Sequence, residues 1–105
     1  MFAVIGTPTY LASIEKWPKI DRESAEKIPQ HLKENPFLGK PLGYAFLREK
    51  RIRERRVYYL VYEEFELVLL VASSGKKDQQ ATIDHIKNSL EEFRKAAEQI
   101  SKQVS

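Results

Sequence analysis

The sequence predicts an α+β fold, in which helices and strands occupy separate parts of one domain. Three observations lead to this class. Apolar residues recur with a helical period near both ends of the chain, whereas between about residues 44 and 73 they alternate or run continuously, as they do in strands. Prolines and glycines separate the first helical part from the strands. The chain, residues 1–105, has the length of a single domain.

The N-terminal part predicts a strand and a first helix. Residues 2–6, FAVIG, form a short, apolar and β-prone segment. Thr7 then supplies a helix cap, and Pro8 occupies the first helical position, where proline is favoured. Apolar side chains at helical spacing continue to Trp17, and we expect the helix to end there because a proline follows.

A second helix and an irregular connection come next. Asp21 can cap this helix, which the apolar spacing extends to about Glu34. Pro29 lies inside the pattern and removes one backbone donor, so it predicts a kink or a break. Residues 34–44 contain two prolines and two glycines, and they therefore predict an irregular segment.

Three strands, at about 44–52, 55–63 and 66–73, are expected after this segment. The first two strands are joined by a tight turn near Arg53. Residues 67–72, LVLLVA, are apolar at every position. Such a run is typical of a strand that is buried on both faces at the centre of a sheet.

The C-terminal quarter predicts one long helix, capped by Asp78. Its apolar side chains are spaced alternately three and four residues apart, in a heptad-like stripe. They are Ile83, Ile86, Leu90, Phe93, Ala97, Ile100 and Val104. A helix over residues 79–104 would be ~39 Å long, compared with a diameter of ~26 Å for a domain of this size. Its overhanging end either frays or mediates self-association through the apolar stripe.

Positive charge is concentrated in one short stretch, residues 48–56. Six of these nine residues are basic: Arg48, Lys50, Arg51, Arg53, Arg55 and Arg56. Together with Glu49 and Glu54 they give the stretch a net charge of +4, whereas the whole chain carries +3. A stripe of this kind is expected of a protein that binds a polyanion, such as a phosphate backbone, or an acidic protein. The alternative is a solvated hairpin tip.

A tyrosine accompanies the basic residues. In a strand that begins near Arg55, the side chains of Arg56 and Tyr58 share one face, because side chains alternate along a strand. Tyr58 would offer an aromatic surface on which an unpaired base stacks. The alternative is that Tyr58 packs against the C-terminal helix, as half-buried strand tyrosines do.

Composition excludes several kinds of site. The sequence contains no cysteine, which rules out disulfides, thiolate metal sites and a cysteine nucleophile. Its two histidines are not spaced as a metal-binding pair. No segment approaches the ~18 uninterrupted apolar residues of a membrane span, and the N-terminal residues do not resemble a signal peptide. We therefore expect a cytoplasmic protein without metal, cofactor or membrane partner.

The segment between the last strand and the C-terminal helix carries two further cations. In SSGKKDQQ, residues 73–80, Lys76 and Lys77 lie near the start of the helix. The spacing is not that of a nucleotide-binding P-loop. His85, about two turns into the helix, is the imidazole nearest the basic stretch and could transfer protons near pH 7. A solvated turn and an exposed surface histidine are the alternatives.

Four local segments occur in a characteristic order. They are NPFLGKPL at 35–42, LREKRI at 47–52, RRVYYLVYE at 55–63 and an apolar strand that ends in SGKK at 74–77. In this order, over roughly residues 1–80, they resemble the RelE/ParE superfamily of toxin–antitoxin toxins. The resemblance implies a RelE-like fold, with an N-terminal strand and two helices packed on a twisted antiparallel sheet, here with a long C-terminal helix.

The resemblance also implies an activity. RelE-like toxins cut mRNA in the ribosomal decoding site, by attack of a ribose 2′-hydroxyl on the adjacent phosphate, whereas ParE-like toxins poison DNA gyrase. By this similarity Arg56 matches the catalytic arginine, and Lys77 lies where RelE has a second arginine. His85 is the expected acid or base, because Ile83 stands near the position of the catalytic tyrosine of RelE. The residues expected to bind RNA are Arg48, Lys50, Arg51, Arg53, Arg55, Lys76 and Tyr58.

Two functions of different classes stay open. One is a metal-independent mRNA endoribonuclease that inhibits translation, with mRNA and the ribosome as partners. The other is a ParE-like toxin, which cuts no RNA and binds a protein such as gyrase, or an inactive relative. In either case the expected partner is a cognate antitoxin, whose acidic or amphipathic helix would pair with Arg48, Arg55 or Arg56.

Overall fold

A five-stranded sheet with helices on both faces makes up the protein, as described by a computed structural model over residues 1–104, with side chains to residue 103. In chain order the elements are β1 (Ala3–Gly6), α1 (Pro8–Glu15), α2 (Lys19–Glu34), β2 (Lys40–Pro41), β3 (Leu47–Ile52), β4 (Arg55–Tyr62), β5 (Leu67–Gly75), α3 (Gln79–Asn88) and α4 (Leu90–Val104). A single 3₁₀ turn, Glu63–Phe65, connects β4 to β5. The predicted α+β class is confirmed.

The strand order across the sheet is β1-β5-β4-β3-β2. Three of the four strand pairs are antiparallel, and β1 pairs parallel with β5. A parallel pair needs a long connection, and here the intervening chain, from α1 through β4, supplies it. β5 lies between β1 and β4, and Leu67–Val71 are buried on both faces, as the apolar run predicts.

The sheet separates two apolar clusters. On one face, Tyr10, Ile28 and Leu32 of α1 and α2 pack against the sheet. On the other face, Ile86 of α3 and Ala97 of α4 pack against it. β4 contributes to both clusters, since its side chains alternate between faces and are buried from Arg56 to Tyr62.

The predicted N-terminal cap is present in the first helix and absent in the second. Thr7 caps α1 as expected, because its Oγ1 accepts a hydrogen bond of 3.2 Å from the amide of Tyr10. The predicted cap at Asp21 is wrong, since α2 begins at Lys19 directly after Pro18. The helix also continues through Pro29 rather than breaking there.

Asp21 instead connects α2 to the β3–β4 hairpin. Its carboxylate is buried and lies 3.3 Å from Nε of Arg53 and 3.2 Å from Nε of Arg55. The guanidinium of Arg55 also lies over the ring of Trp17, 5.3 Å from its centroid. These contacts hold the hairpin turn, in which Arg53 has a positive φ of 54°, a conformation that is unfavourable for residues other than glycine.

We expect Asp21→Ala to lower the free energy of unfolding by about 1–2 kcal/mol. The substitution removes the shared partner of two arginines, but one of them, Arg53, is largely exposed and is readily solvated. Urea denaturation measures the change. Glu23→Ala, an exposed acidic position on the same helix, is the control and should change stability by less than about 0.5 kcal/mol. Equal effects of the two substitutions would contradict the role of Asp21.

The long C-terminal helix forms as two helices, α3 and α4, separated by Ser89. A straight helix of ~39 Å would be longer than β4, which at ~3.3 Å per residue is only ~26 Å long. The interruption lets Leu90, Phe93 and Ile100 pack on the same apolar cluster as α3. The predicted overhang is therefore wrong, because the longest dimension of the molecule is 35 Å. The side chain of Val104 and all of Ser105 lie outside the described residues.

Within residues 1–104, the helices are too short or too polar for any of them to cross a bilayer.

Candidate active site

A groove beside β3, next to the short strand β2 at the edge of the sheet, collects several charged side chains. It has a volume of about 480 Å³. The lining residues are Leu38, Lys40, Glu49, Lys50, Arg51, Arg56 and Gln79. We call it the charged groove. Because it contains four cations and one carboxylate, it suits an anionic ligand better than a neutral or cationic one.

Arg56 lies at the floor of the charged groove. It is only 7% exposed, and its Nε lies 3.9 Å from Oε1 of Glu49, which is also 7% exposed. Neither Nε nor Nη1 of Arg56 has a hydrogen-bond partner. Buried guanidinium donors are almost always satisfied, so this arginine has unused capacity to bind an anion. Both atoms are covered, so an anion reaches them only after the Arg56 or Glu49 side chain moves.

Gln79, the first residue of α3, holds the carboxylate of Glu49. Its Nε2 donates a hydrogen bond of 3.1 Å to Oε2 of Glu49. Oε1 of Glu49, the oxygen nearer Arg56, accepts none. A carboxylate that is held by a hydrogen bond to one oxygen, and accepts no hydrogen bond at the other, can take a proton from a substrate hydroxyl through that second oxygen. Neither residue is among the predicted site residues, although Glu49 is one of only two acidic residues in the basic stretch, which was a usable signal.

Tyr58 lies beneath the groove and not on its surface. Its side chain is 0% exposed, so the prediction that it stacks on a base is wrong, and packing on the C-terminal helices is the correct alternative. Its hydroxyl and Oγ of Ser74 are 2.7 Å apart. Burial raises the pKa of Tyr58, and the hydrogen bond with Ser74 opposes this effect only in part. The phenol therefore remains protonated near neutral pH.

Arg48 holds the loop before β3. Its Nε donates to the carbonyl of Gly39 at 2.9 Å, its Nη1 donates to the carbonyl of Ala45 at 2.8 Å, and its guanidinium lies 5.3 Å from the ring centroid of Phe37. Gly39 is required here, because a Cβ would lie 2.4 Å from the carbonyl oxygen of Glu49. Arg48 therefore stabilises this loop and does not line the charged groove.

Other arginines of the basic stretch also have partners within the protein. Nε of Arg51 donates to the carbonyl of Arg53 at 2.9 Å, although Arg51 still lines the charged groove. Arg53 and Arg55 pair with Asp21. The concentration of positive charge is therefore partly explained by the demands of the hairpin itself.

Lys76 and Lys77 lie in a separate recess of about 320 Å³ at the end of β5. Its other lining residues are Glu54, Arg55, Gly75 and Asp78. We call it the hairpin recess. It is adjacent to the charged groove, because Arg55 pairs with Gly75 and Arg56 with Ser74 across β4 and β5. Two acidic side chains offset its positive charge.

His85 is exposed on α3 and lines neither the charged groove nor the hairpin recess. The structure thus does not bring it together with Arg56. Residues 1–104 hold no group of three or more histidine, aspartate or glutamate side chains that could bind a metal ion.

Solved structures with a similar arrangement of strands and helices include RelE toxins. The isolated E. coli RelE toxin has a TM-score of 0.65 at 17% identity, over 84% of this chain and 98% of RelE. A chain of the intact E. coli RelBE toxin–antitoxin complex has a TM-score of 0.63 at 19% identity, over 71% of this chain and 96% of that one. This chain has the RelE-like toxin fold.

A further relative with the RelE-like fold is a YoeB/ParE toxin from Agrobacterium tumefaciens. Its TM-score is 0.57 at 21% identity, over 71% of this chain and 98% of that toxin. No family model and no curated protein matches the sequence. The RelE-like fold inferred from the four local segments is thus confirmed by three-dimensional structure.

Proposed function

We propose that this protein is the toxin of a toxin–antitoxin module and that it cuts mRNA in the cytoplasm, thereby inhibiting translation. One observation carries the proposal. Arg56, with two unsatisfied guanidinium nitrogens, lies beside the carboxylate of Glu49 at the floor of a groove lined by further cations. A general base next to an arginine is the pair of groups that attack by a 2′-hydroxyl on a phosphate requires.

In this mechanism Oε1 of Glu49 accepts the proton of the ribose 2′-hydroxyl, while Gln79 holds the carboxylate in place. The 2′-oxygen forms a bond to the adjacent phosphorus, and the bond to the 5′-oxygen of the next nucleotide breaks as that oxygen takes a proton from a solvent water molecule, which leaves a 2′,3′-cyclic phosphate and a free 5′-hydroxyl. Arg56 stabilises the negative charge that develops on the phosphate, because the phosphate replaces Glu49 as its partner. Lys50 and Arg51 bind the backbone at the rim, and Lys77 binds a flanking phosphate from the hairpin recess.

A second candidate function is the binding of a protein target without RNA cleavage. It is favoured by four large apolar side chains that are exposed around the irregular segment: Phe37, Leu38, Tyr44 and Phe46. The rings of Tyr44 and Phe46 stack, with their centroids 4.8 Å apart. Exposed aromatic clusters of this kind are common in protein interfaces.

Primer extension on cellular mRNA after induction of the protein separates the two functions. New discrete 5′ ends, absent when Glu49→Gln is induced to the same level, are expected of the endoribonuclease. Intact mRNA together with trapped gyrase–DNA breaks would overturn it in favour of the ParE-like function. Growth arrest alone does not distinguish them.

The partner that we propose is a cognate antitoxin with an acidic or amphipathic helix, since several structures with this fold are toxin–antitoxin complexes. The arginines first expected to pair with it, Arg48, Arg55 and Arg56, all contact other parts of this protein. Lys50 and Arg51, at the rim of the charged groove, are better placed to meet acidic side chains. An antitoxin bound there would also block access of RNA.

A further inference from the structure

A second basic concavity lies on the opposite side of β3, between this strand and α2. It has a volume of about 310 Å³. Its lining residues are Ser24, Lys27, Ile28, His31, Lys50, Arg51, Ile52 and Arg53. We call it the edge recess. Five of these eight residues are basic and none is acidic, which distinguishes it from the charged groove and the hairpin recess, both of which contain carboxylates.

The edge recess and the charged groove meet at the edge of the sheet. Lys50 and Arg51 line both of them. They do so because β2 is only two residues long and pairs with Arg48 and Glu49, which leaves residues 50–52 of β3 without a neighbouring strand on that side. Basic side chains therefore continue from one face of the hairpin, around this edge, to α2.

Some cations of the edge recess are available to a ligand, whereas Arg53 is paired with Asp21. The side chains of Lys27 and Lys50 have no hydrogen bond or ion pair among residues 1–104. Lys27 and His31 are exposed on α2. Like charges held this close together repel one another, and a bound anion relieves that repulsion.

We propose that the edge recess is a second phosphate-binding site, and that single-stranded RNA held in the charged groove crosses the β3 edge to reach it. This inference rests on the proposed function and extends its substrate to a strand of several nucleotides. A single strand is favoured over a duplex because the path turns around the edge of a sheet, which a stiff double helix cannot follow.

The test is a binding measurement with oligonucleotides that cannot be cut. Fluorescence anisotropy with 2′-O-methyl RNA removes the attacking hydroxyl, and it compares an octanucleotide with a dinucleotide of the same label. We expect Lys27→Ala to weaken octanucleotide binding about three- to fivefold, as one exposed ion pair does, and to leave dinucleotide binding unchanged. The slope of log K against log salt for the octanucleotide should fall by about 0.7, one phosphate contact.

Lys95→Ala is the matched control. Lys95 is an exposed lysine of α4 and lines neither the charged groove nor the edge recess. It should change the binding of neither oligonucleotide. Equal effects of Lys27→Ala and Lys95→Ala, or equal losses for both oligonucleotides, would overturn the edge recess as an RNA site.

Other outcomes separate this inference from the proposed function. Length-dependent binding that needs Lys27, without cleavage of RNA by the wild type, would support the inference and overturn the endoribonuclease. Cleavage with octanucleotide binding that is indifferent to Lys27→Ala would overturn the inference alone. An acidic peptide that binds more tightly than the octanucleotide, and loses this advantage in Lys27→Ala, would assign the recess to a protein and overturn it as well.

Discussion

Replacing Glu49 by glutamine is expected to lower the rate of RNA cleavage about 10²–10⁴-fold, the usual contribution of a general base. The amide of glutamine has nearly the shape of the carboxylate and can still accept the hydrogen bond from Gln79. It cannot take a proton from a 2′-hydroxyl. The rate is measured with purified protein and ribosome-bound mRNA, by the appearance of new 5′ ends.

Two further measurements distinguish a loss of proton transfer from a loss of RNA binding and from the choice of another base. Binding of the 2′-O-methyl octanucleotide should not weaken in Glu49→Gln, because the substitution removes a negative charge from the groove. His85→Ala is the matched control for the other candidate base and should retain the wild-type rate, since His85 is exposed outside the groove. A large loss in His85→Ala with none in Glu49→Gln would reverse the assignment of the base.

The elements that sequence predicts well are those set by local periodicity. The strands β3, β4 and β5 and the helices α1 and α2 follow from apolar spacing, and Thr7 from the chemistry of capping. The break at Ser89 does not follow, because a stripe with three- and four-residue spacing defines one face of a helix without showing that the helix is continuous. The break lets residues of both helices pack on the same apolar cluster, and such tertiary packing is not visible in the spacing along the sequence.

The candidate site was predictable only in part, for the same reason. Alternation along β4 places Arg56 on one face and shows that Tyr58 shares it, but burial of that face by α3 and α4 is a property of the fold. In the sequence, the six basic residues of residues 48–56 predict one continuous positively charged surface. In the structure it divides between Asp21, the loop at Gly39 and the charged groove. A count of charges gives no sign that one of the two glutamates in this stretch, Glu49, lies beside Arg56 in this groove.

Arg56→Ala is expected to lower the cleavage rate about 10²–10³-fold, the effect of removing one preorganised electrostatic stabiliser. It should also reduce stability by about 1–3 kcal/mol, because Glu49 is then buried without its cation. Rates are therefore compared at a temperature where thermal melts show each variant to be folded. Arg22→Ala, an arginine of α2 that does not line the charged groove, controls for the loss of one positive charge.

Arg56→Lys separates the two effects of Arg56. A lysine keeps the positive charge beside Glu49, so it should recover most of the lost stability. It should still cleave RNA at least about 10-fold more slowly than the wild type, because a single ammonium cannot bind two phosphate oxygens as a planar guanidinium does. The site assignment requires that stability and rate respond differently to this substitution. If Arg56→Lys restores both together, or if Arg56→Ala cuts RNA at the wild-type rate while folded, then Arg56 serves the packing of the hairpin and the chemistry lies elsewhere.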